Sequence, residues 1–218
     1  MEPREISTAI RTWTNSRSNS DAILQFLNQG YCFEIKRNEY EKWSSNNPES
    51  IHAYPAVFSD VTKFVVIDNI TDKQTTINYS NVFVKDYTYG SNEENGIDFG
   101  NDASNITILN ALERIFRWSM NHTVWVRNQV STEVGVFQAF HIPFSDLELL
   151  FNNSTSASVY VLIGLMLDEA TGMKIPELIL WNETMNFGEP SMVADVALPV
   201  PPFGLINPLT NYQLLVQS

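Results

Sequence analysis

The chain has 218 residues, of which 44% are apolar, 12% aromatic and 17% charged, and this composition excludes an intrinsically disordered protein. Acidic residues outnumber basic ones 25 to 13, for a formal charge of −12, whereas a nucleic-acid-binding surface has to be basic. The single cysteine, Cys32, excludes an intramolecular disulfide and a cysteine-based zinc cluster. The sequence therefore predicts an acidic globular protein.

The residues after Met1 and the longest apolar run of the chain indicate its cellular location and its relation to membranes. No apolar stretch of signal-peptide length follows Met1, which indicates a bacterial-type cytoplasmic location. The longest strongly apolar run, residues 159–167, is too short for a membrane-spanning helix and predicts a buried strand. We expect neither a membrane nor a nucleic acid as partner.

In chain order, the first elements are a helix and a strand that runs directly into a second helix. Ile6, Ile10 and Trp13 have the spacing of one buried helical stripe. Residues 31–43 combine an apolar strand with a helix whose expected N-cap is Asn38. Apolar runs at 50–58 and 63–69 then predict two strands, and alternation over 81–89 predicts an edge strand. These five segments define a first α+β module, residues 1–88.

An acidic linker, residues 89–104, follows the first module and is rich in Gly, Asn and Ser. Placing Gly96 at the sixth position of a calcium-binding loop puts Ser91, Glu93, Asn95 and Asp102 at ligand positions. Ser in the first position and Asp in the last are poor ligands for that geometry, and no clear helix precedes the loop. A solvated linker is therefore the preferred interpretation, with a calcium site as the alternative.

The second half, residues 105–190, repeats the order of the first. Residues 138–150 match 31–43, so that Phe33 aligns with Phe140 and Ile35 with Ile142, and Ser145 takes the place of the expected cap. Further on, 156–164 matches 50–58, with Tyr54 opposite Tyr160. The predicted fold is therefore α+β, with two similar helix-strand-helix-strand-strand modules from an internal duplication and small, mainly antiparallel sheets.

Two segments after the linker, one in the second half and one beyond it, have no counterpart in the first module. Residues 123–140 alternate like strands, which leaves Trp125 as a candidate exposed ring. The tail, residues 191–218, has four prolines, and from residue 196 onward it has no charged side chain. Proline cannot donate to a sheet, so we expect the residues from 196 onward to form an extended attachment segment that is neither a helix nor a central strand. This segment is expected to dock either on its own chain or on a partner protein.

The sequence contains no recognisable catalytic, cofactor or metal motif. Phosphate-binding glycine loops and a nucleophile elbow are missing, and His52, His122 and His141 do not have the spacing of metal ligands. Cys32, within an apolar strand, is expected to be a buried structural cysteine. No catalytic, cofactor-binding or metal-ligating residue is assigned, and an enzyme is not the preferred class.

Two functions remain open. The first is a non-enzymatic protein-binding or structural component of a bacterial-type assembly, acting through the two duplicated modules and the apolar tail, with another protein or a second copy as partner. The alternative is an enzyme or small-ligand-binding protein that uses a cleft between the modules. The candidate interface residues are Trp125, Phe203, Leu205, Ile206 and Tyr212, and the candidate cleft residues are Cys32, His52, Tyr54, His141 and Tyr160.

Overall fold

A computed structural model of the protein describes residues 2–89, 106–132, 135–182, 192–200 and 211–218. Along 192–200 it describes the backbone and the side chain of Pro199. The linker candidates for calcium and the interface candidates Phe203, Leu205 and Ile206 lie outside these ranges.

Helices and strands mix along the described chain, which confirms the predicted α+β class. The helices are α1 (Pro3–Ser16), α2 (Ser20–Leu27), α3 (Arg37–Ser44), α4 (Asn69–Asp72), α5 (Ile108–Gln129), α6 (Phe144–Asn152) and α7 (Gln213–Val216). The strands are β1 (Cys32–Lys36), β2 (Ser50–Phe58), β3 (Val61–Asp68), β4 (Phe83–Asp86), β5 (Ala139–Pro143), β6 (Ser158–Leu167), β7 (Lys174–Asn182) and β8 (Met192–Val200).

The described strands form one antiparallel sheet in the order β1-β6-β7-β8-β5-β2-β3-β4. The sheet curves until its edge strands meet, because the amide of Cys32 donates to the Thr88 carbonyl at 3.1 Å and the amide of Thr88 donates back at 2.9 Å. The edge strand predicted at 81–89 is confirmed by β4, which is the last strand of the sheet. The bridge covers part of an edge that would otherwise expose unpaired backbone groups.

The two halves of the chain are interleaved in this sheet. β1 pairs with β6 of the second half, and β5 pairs with β2 of the first. Lys36 lies opposite Ser158, and Pro143 lies opposite Ser50, so Ser50 and Ser158 hold equivalent places. This register makes Tyr160 the counterpart of His52, which corrects the alignment with Tyr54. Common descent of the two halves, and the domain boundaries drawn from it, stay predictions.

The inner face of the curved sheet forms the main apolar core. Phe33, Ile35, Phe140 and Ile142 are all at most 2% exposed, as the sequence predicted. Trp13, predicted in a buried helical stripe, is buried in the same cluster, together with Trp43 of α3 and Trp118 of α5. On the outer face, α1 packs against β2 and α5 packs against β6. The β2–β3 hairpin and the β6–β7 hairpin are therefore each covered by one helix.

The expected helix caps were wrong by two residues. α3 starts at Arg37, directly after β1, and the amide of Lys36 donates to the Glu39 carboxylate at 2.8 Å. α6 likewise starts at Phe144, directly after Pro143. Asn38 and Ser145 therefore lie inside the first helical turn, because each strand passes into its helix without an intervening cap residue.

Two other expectations are overturned by the structure. Residues 123–129 belong to α5, not to a strand, so the segment expected to alternate begins inside a helix. Residues 196–200 belong to β8, which lies between β7 and β5 and is therefore a central strand. The end of the tail contains the short helix α7.

Candidate functional site

Two histidines meet where the halves of the chain join, on the outer face of β2 and β5. In β2, His52 and Tyr54 alternate with Ile51 and Ala53, whose side chains enter the inner core. His141 lies directly opposite His52 across the β2–β5 pair, and the two rings are 5.7 Å apart. The register of one strand pair therefore places both imidazoles side by side.

A buried carboxylate from α4 completes this arrangement. Asp68 ends β3, and its side chain accepts the amide of Thr71 at 2.8 Å, which starts α4. The helix brings Asp72, which is fully buried, to within 2.6 Å of Nδ1 of His52. The hydroxyl of Tyr54 donates to the same carboxylate oxygen, Oδ2. The carboxylate thus has two side-chain partners on β2.

The end of the chain covers this group. The Tyr212 ring stacks on His52 with a centroid distance of 4.2 Å. The amide of Leu214 donates to the other oxygen of Asp72, Oδ1, at 3.1 Å. Both residues are at most 1% exposed. We call His52, Tyr54, Asp72, His141 and Tyr212 the histidine cluster.

Burial determines the electrostatics of the histidine cluster. Burial first, and then the charge of Asp72, raise the pKa of Tyr54 well above its ordinary value, so the phenol stays neutral and donates. Burial and then the neighbouring His52 lower the pKa of His141 to about 4, so its ring is neutral at pH 7. Nδ1 of His141 is buried and has no hydrogen-bond partner among the described residues.

The chemistry of the cluster is that of a polar clamp. Asp72 orients the His52 ring through Nδ1, which is how a carboxylate positions a general base. However, the Tyr212 ring lies over the face of that imidazole, and the contacts of Asp72 connect β2 with the end of the chain. A substrate would reach His52 after the terminal segment had moved away.

The other cleft candidates lie elsewhere. Cys32 is at the sheet edge beside Thr88, where burial raises the pKa of its thiol to about 11, and an unreactive buried cysteine fits the prediction. Tyr160 packs under α5 with Ile179 and Trp181. In the described parts of the chain, no group of three His, Cys, Asp or Glu side chains is arranged to hold a metal ion.

The interface candidates that the structure describes are not free surface. Trp125 is 7% exposed, and its indole N–H donates to the carbonyl of Lys174 at 2.9 Å. Because residue 125 is part of a helix, its ring faces the sheet, which corrects the expected exposed strand position. Tyr212 is buried in the histidine cluster.

A surface that the sequence argument missed lies on α5. Its side chains Leu109, Phe116, Met120 and Val124 are 73%, 66%, 67% and 61% exposed. They fall within about 80° of arc at 3.6 residues per turn, on the side facing away from the sheet. The helical spacing of these residues was visible in the sequence, but the strand assigned to 123–140 interrupted it.

Two charged side chains belong to this stripe: Glu113 lies between Leu109 and Phe116, and Arg127 lies about one turn beyond Val124. Glu113 and Arg127 are exposed and fall within the same arc as the four apolar residues. Met173, 56% exposed on the β6–β7 connection, lines a shallow cavity together with Val124 and Trp125. We call Leu109, Glu113, Phe116, Met120, Val124 and Arg127 the outer face of α5.

No protein-family model, curated protein or solved structure matches this chain. Among the described residues, the helices lack the combined length and apolarity that crossing a membrane requires. The arguments for function therefore come from the chain's own residues.

Proposed function

We propose that the protein is a non-enzymatic binding or structural component that acts through protein–protein contacts, with the outer face of α5 as its binding surface. One observation carries this proposal: α5 is apolar on both sides. Ile108, Ala111 and Trp118 are buried against the rest of the chain, whereas Phe116 and Met120 face solvent. A helix that is hydrophobic all round is normally buried all round.

The size and chemistry of the surface support a protein as the ligand. Four large side chains and Met173 each expose roughly 100 Å² of mostly apolar area, so the patch reaches the size of the largest patches on monomers. Phe, Met and Arg are enriched in protein interfaces relative to other surfaces. A thin, long apolar stripe on a helix suits a second helix better than a small molecule.

Two ways of docking were left open for the tail, on its own chain or on a partner, and this proposal uses the first. Its last residues bind the same chain, because Leu214 and Tyr212 pack against the cluster that contains Ile10 and Tyr54. The terminal segment therefore acts as a strap in cis, and α5 supplies the surface for other proteins.

Photo-crosslinking in the producing cells tests the proposal. A photoreactive residue in place of Met120 is compared with one in place of Thr8, an exposed position on α1. We expect a single adduct of defined mass from position 120 and none from position 8. The same adduct must disappear when Phe116→Glu is added. No adduct, or equal adducts from both positions, would overturn the function.

A second candidate function is small-ligand binding or catalysis at the histidine cluster. It is favoured by the oriented His52–Asp72 pair and by the unpartnered Nδ1 of His141 within the described residues. The test is the melting temperature of the wild type and of His141→Gln against a panel of small carboxylates, phosphates and amines. A compound that stabilises only the wild type supports this candidate, and a panel without such a compound opposes it.

A further inference from the structure

We infer that the outer face of α5 binds the same face of a second copy, with the two α5 helices antiparallel about a twofold axis through Met120. This inference rests on the proposed function and names its partner. It follows from the symmetry of the face, from its charges and from the cavity beside it.

Apart from Leu109, the residues of the face are arranged symmetrically about Met120. Phe116 and Val124 each lie four residues from Met120, and Glu113 and Arg127 each lie seven residues from it. Steps of four and seven return to the same side of a helix. In a twofold dimer the same patch contacts itself. A residue that lies a given number of positions before Met120 therefore contacts the residue that lies the same number of positions after Met120 in the second copy. Phe116 then faces Val124 of the second copy, and Met120 faces Met120.

The charges select the antiparallel orientation. An antiparallel pair centred on Met120 places each Glu113 opposite Arg127 of the other copy, which gives two equivalent ion pairs. A parallel pair would place like charges together and would be disfavoured. Arg127 is exposed and its side chain has no partner among the described residues. The Glu113 side chain is 62% exposed and is bonded to Arg117, one turn further along the same helix, so it still has solvent-facing acceptor capacity.

The cavity beside Val124 can hold an aromatic side chain of the second copy. It is lined by Val124, Trp125 and Met173, among others, where α5 meets the β6–β7 connection. Since Phe116 of the second copy lies opposite Val124, its ring reaches this cavity. Aromatic side chains in such pockets dominate the energy of many interfaces. Covering the apolar patches of both copies buries about 1,000 Å² before any flanking polar area is added, which is where specific interfaces begin.

Site-directed crosslinking tests the axis. Met120→Cys places a thiol on the axis, next to its own copy. Leu109→Cys is the matched control, since residue 109 is equally exposed, yet its two copies are about 33 Å apart in this arrangement. The native Cys32 is buried and does not compete. With a short bis-maleimide, we expect a covalent dimer from the first variant and none from the second. Equal crosslinking of both, or none of either, would overturn the arrangement.

Charge exchange tests the register. Glu113→Arg or Arg127→Glu alone should weaken the dimer about tenfold or more in sedimentation, because each change creates two repulsive contacts. The combined variant Glu113→Arg with Arg127→Glu should restore dimerisation to within about threefold of the wild type. Each variant is first checked for an unchanged melting temperature at dilutions at which it is monomeric. Singles without effect, or a double variant as weak as the singles, would overturn the register.

The outcomes separate this inference from the proposed function. If the wild type sediments as a monomer while the cellular adduct from Met120 has a mass other than twice the chain, self-association is wrong and the binding function stands. If position 120 gives no adduct in cells and no dimer in solution, both fail.

Discussion

Helix α1 forms the outer layer over the β2–β3 hairpin, and helix α5 forms the outer layer over the β6–β7 hairpin. The two helices are alike on the side that packs against the sheet and differ on the side that faces solvent. α1 covers β2 with Ile6, Ala9 and Ile10, and its solvent side is polar, with Thr8 and Arg11 exposed. α5 covers β6 in the same way, yet its solvent side is the apolar stripe that includes Phe116 and Met120. Packing against a sheet requires one apolar face of a helix, so the second apolar face of α5 needs another explanation.

The polar groups differ as well. Under α1, the histidine cluster is buried and covered by the end of its own chain. The position equivalent to His52 beneath α5 is Tyr160, which packs in an apolar cluster. The first layer is therefore closed by the chain itself, and the second layer has an open surface on its outside. The difference supports the proposal that the outer face of α5 binds a partner, whereas the contacts of the histidine cluster hold the chain's own segments together.

The largest effect is expected on the inner face, where the two halves are alike. Phe33→Ala and Phe140→Ala should each lower the free energy of unfolding by about 3–5 kcal/mol, because both rings are buried in equivalent strands. Urea unfolding measures this. The control, Phe116→Ala on α5, should change it by less than about 0.5 kcal/mol at concentrations where the chain is monomeric. Costs that differ by more than about 2 kcal/mol would contradict the likeness of the inner faces.

The next effect concerns the carboxylate of the histidine cluster. Asp72→Ala should destabilise the fold by about 3–5 kcal/mol, because it leaves His52, Tyr54 and the Leu214 amide without their shared acceptor. Asp86→Ala is the matched control. It removes an exposed ion pair with Lys63 and should cost at most about 1 kcal/mol. Thermal unfolding of both variants checks this, and similar losses in the two would argue against a clamp.

Two leucine substitutions, one in each outer layer, are expected to differ clearly in their cost in stability. Leu214→Ala should cost about 2–4 kcal/mol, since the side chain is fully buried against the α1 layer. Leu109→Ala, 73% exposed on α5, should be nearly neutral in the monomer. Hydrogen exchange should show faster opening of α1 and α4 in the first variant and no change in α5. If amide protection were lost equally in the α1 layer and in α5, the terminal segment would stabilise the whole fold and not the α1 layer alone.

The smallest effect is a pH dependence confined to the first layer. The folded-state pKa of His141, about 4, lies below its ordinary value of 6.5, so the unfolded chain takes up a proton first as the pH falls. Stability is then lost between about pH 6.5 and pH 4, by about 1 kcal/mol after allowing for the partial exposure of the ring. His141→Gln should lack this component in chemical unfolding measured at both pH values. An equal pH slope in the variant would refute the assignment.

Local patterns predicted much of the secondary structure. The strand-to-helix segments at 31–43 and 138–150, the strands β2, β3 and β6, and the core positions Phe33 and Phe140 follow from apolar runs and helical spacing over a few residues. The error over 123–129 arose because the run Thr123–Val126 consists of β-branched and aromatic residues, which favour strands. The helix started by the preceding residues continues through this segment, which shows context overriding local preference.

The strand β8 shows why a proline argument failed. Pro199 lies opposite Phe140 of β5, whereas the pairing of β8 with β7 ends at Ala197 and Leu178. At residue 199 the strand therefore has one neighbour in the described sheet, and a missing N–H is tolerated on the open side. The local rule for proline was correct, but the place where each neighbour ends is decided by the whole sheet.

The histidine cluster was predicted in part. His52, Tyr54 and His141 were proposed to share a cleft, and the structure brings these three together, whereas Cys32 and Tyr160 lie elsewhere. Asp72 carries no sequence signal of its own, because it belongs to a four-residue helix. Its partners lie far along the chain, the most distant being the amide of Leu214.

The sequence by itself determined the acidic character, the α+β class and the inner core residues, since these depend on composition and on spacing along the chain. Only the tertiary structure decided the exchange of strands between the halves, the burial of the chain's end over His52, and the side of α5 left open to solvent. Strand pairing and burial are contacts between residues distant in sequence, and short-range periodicity does not specify which distant surface covers a given face.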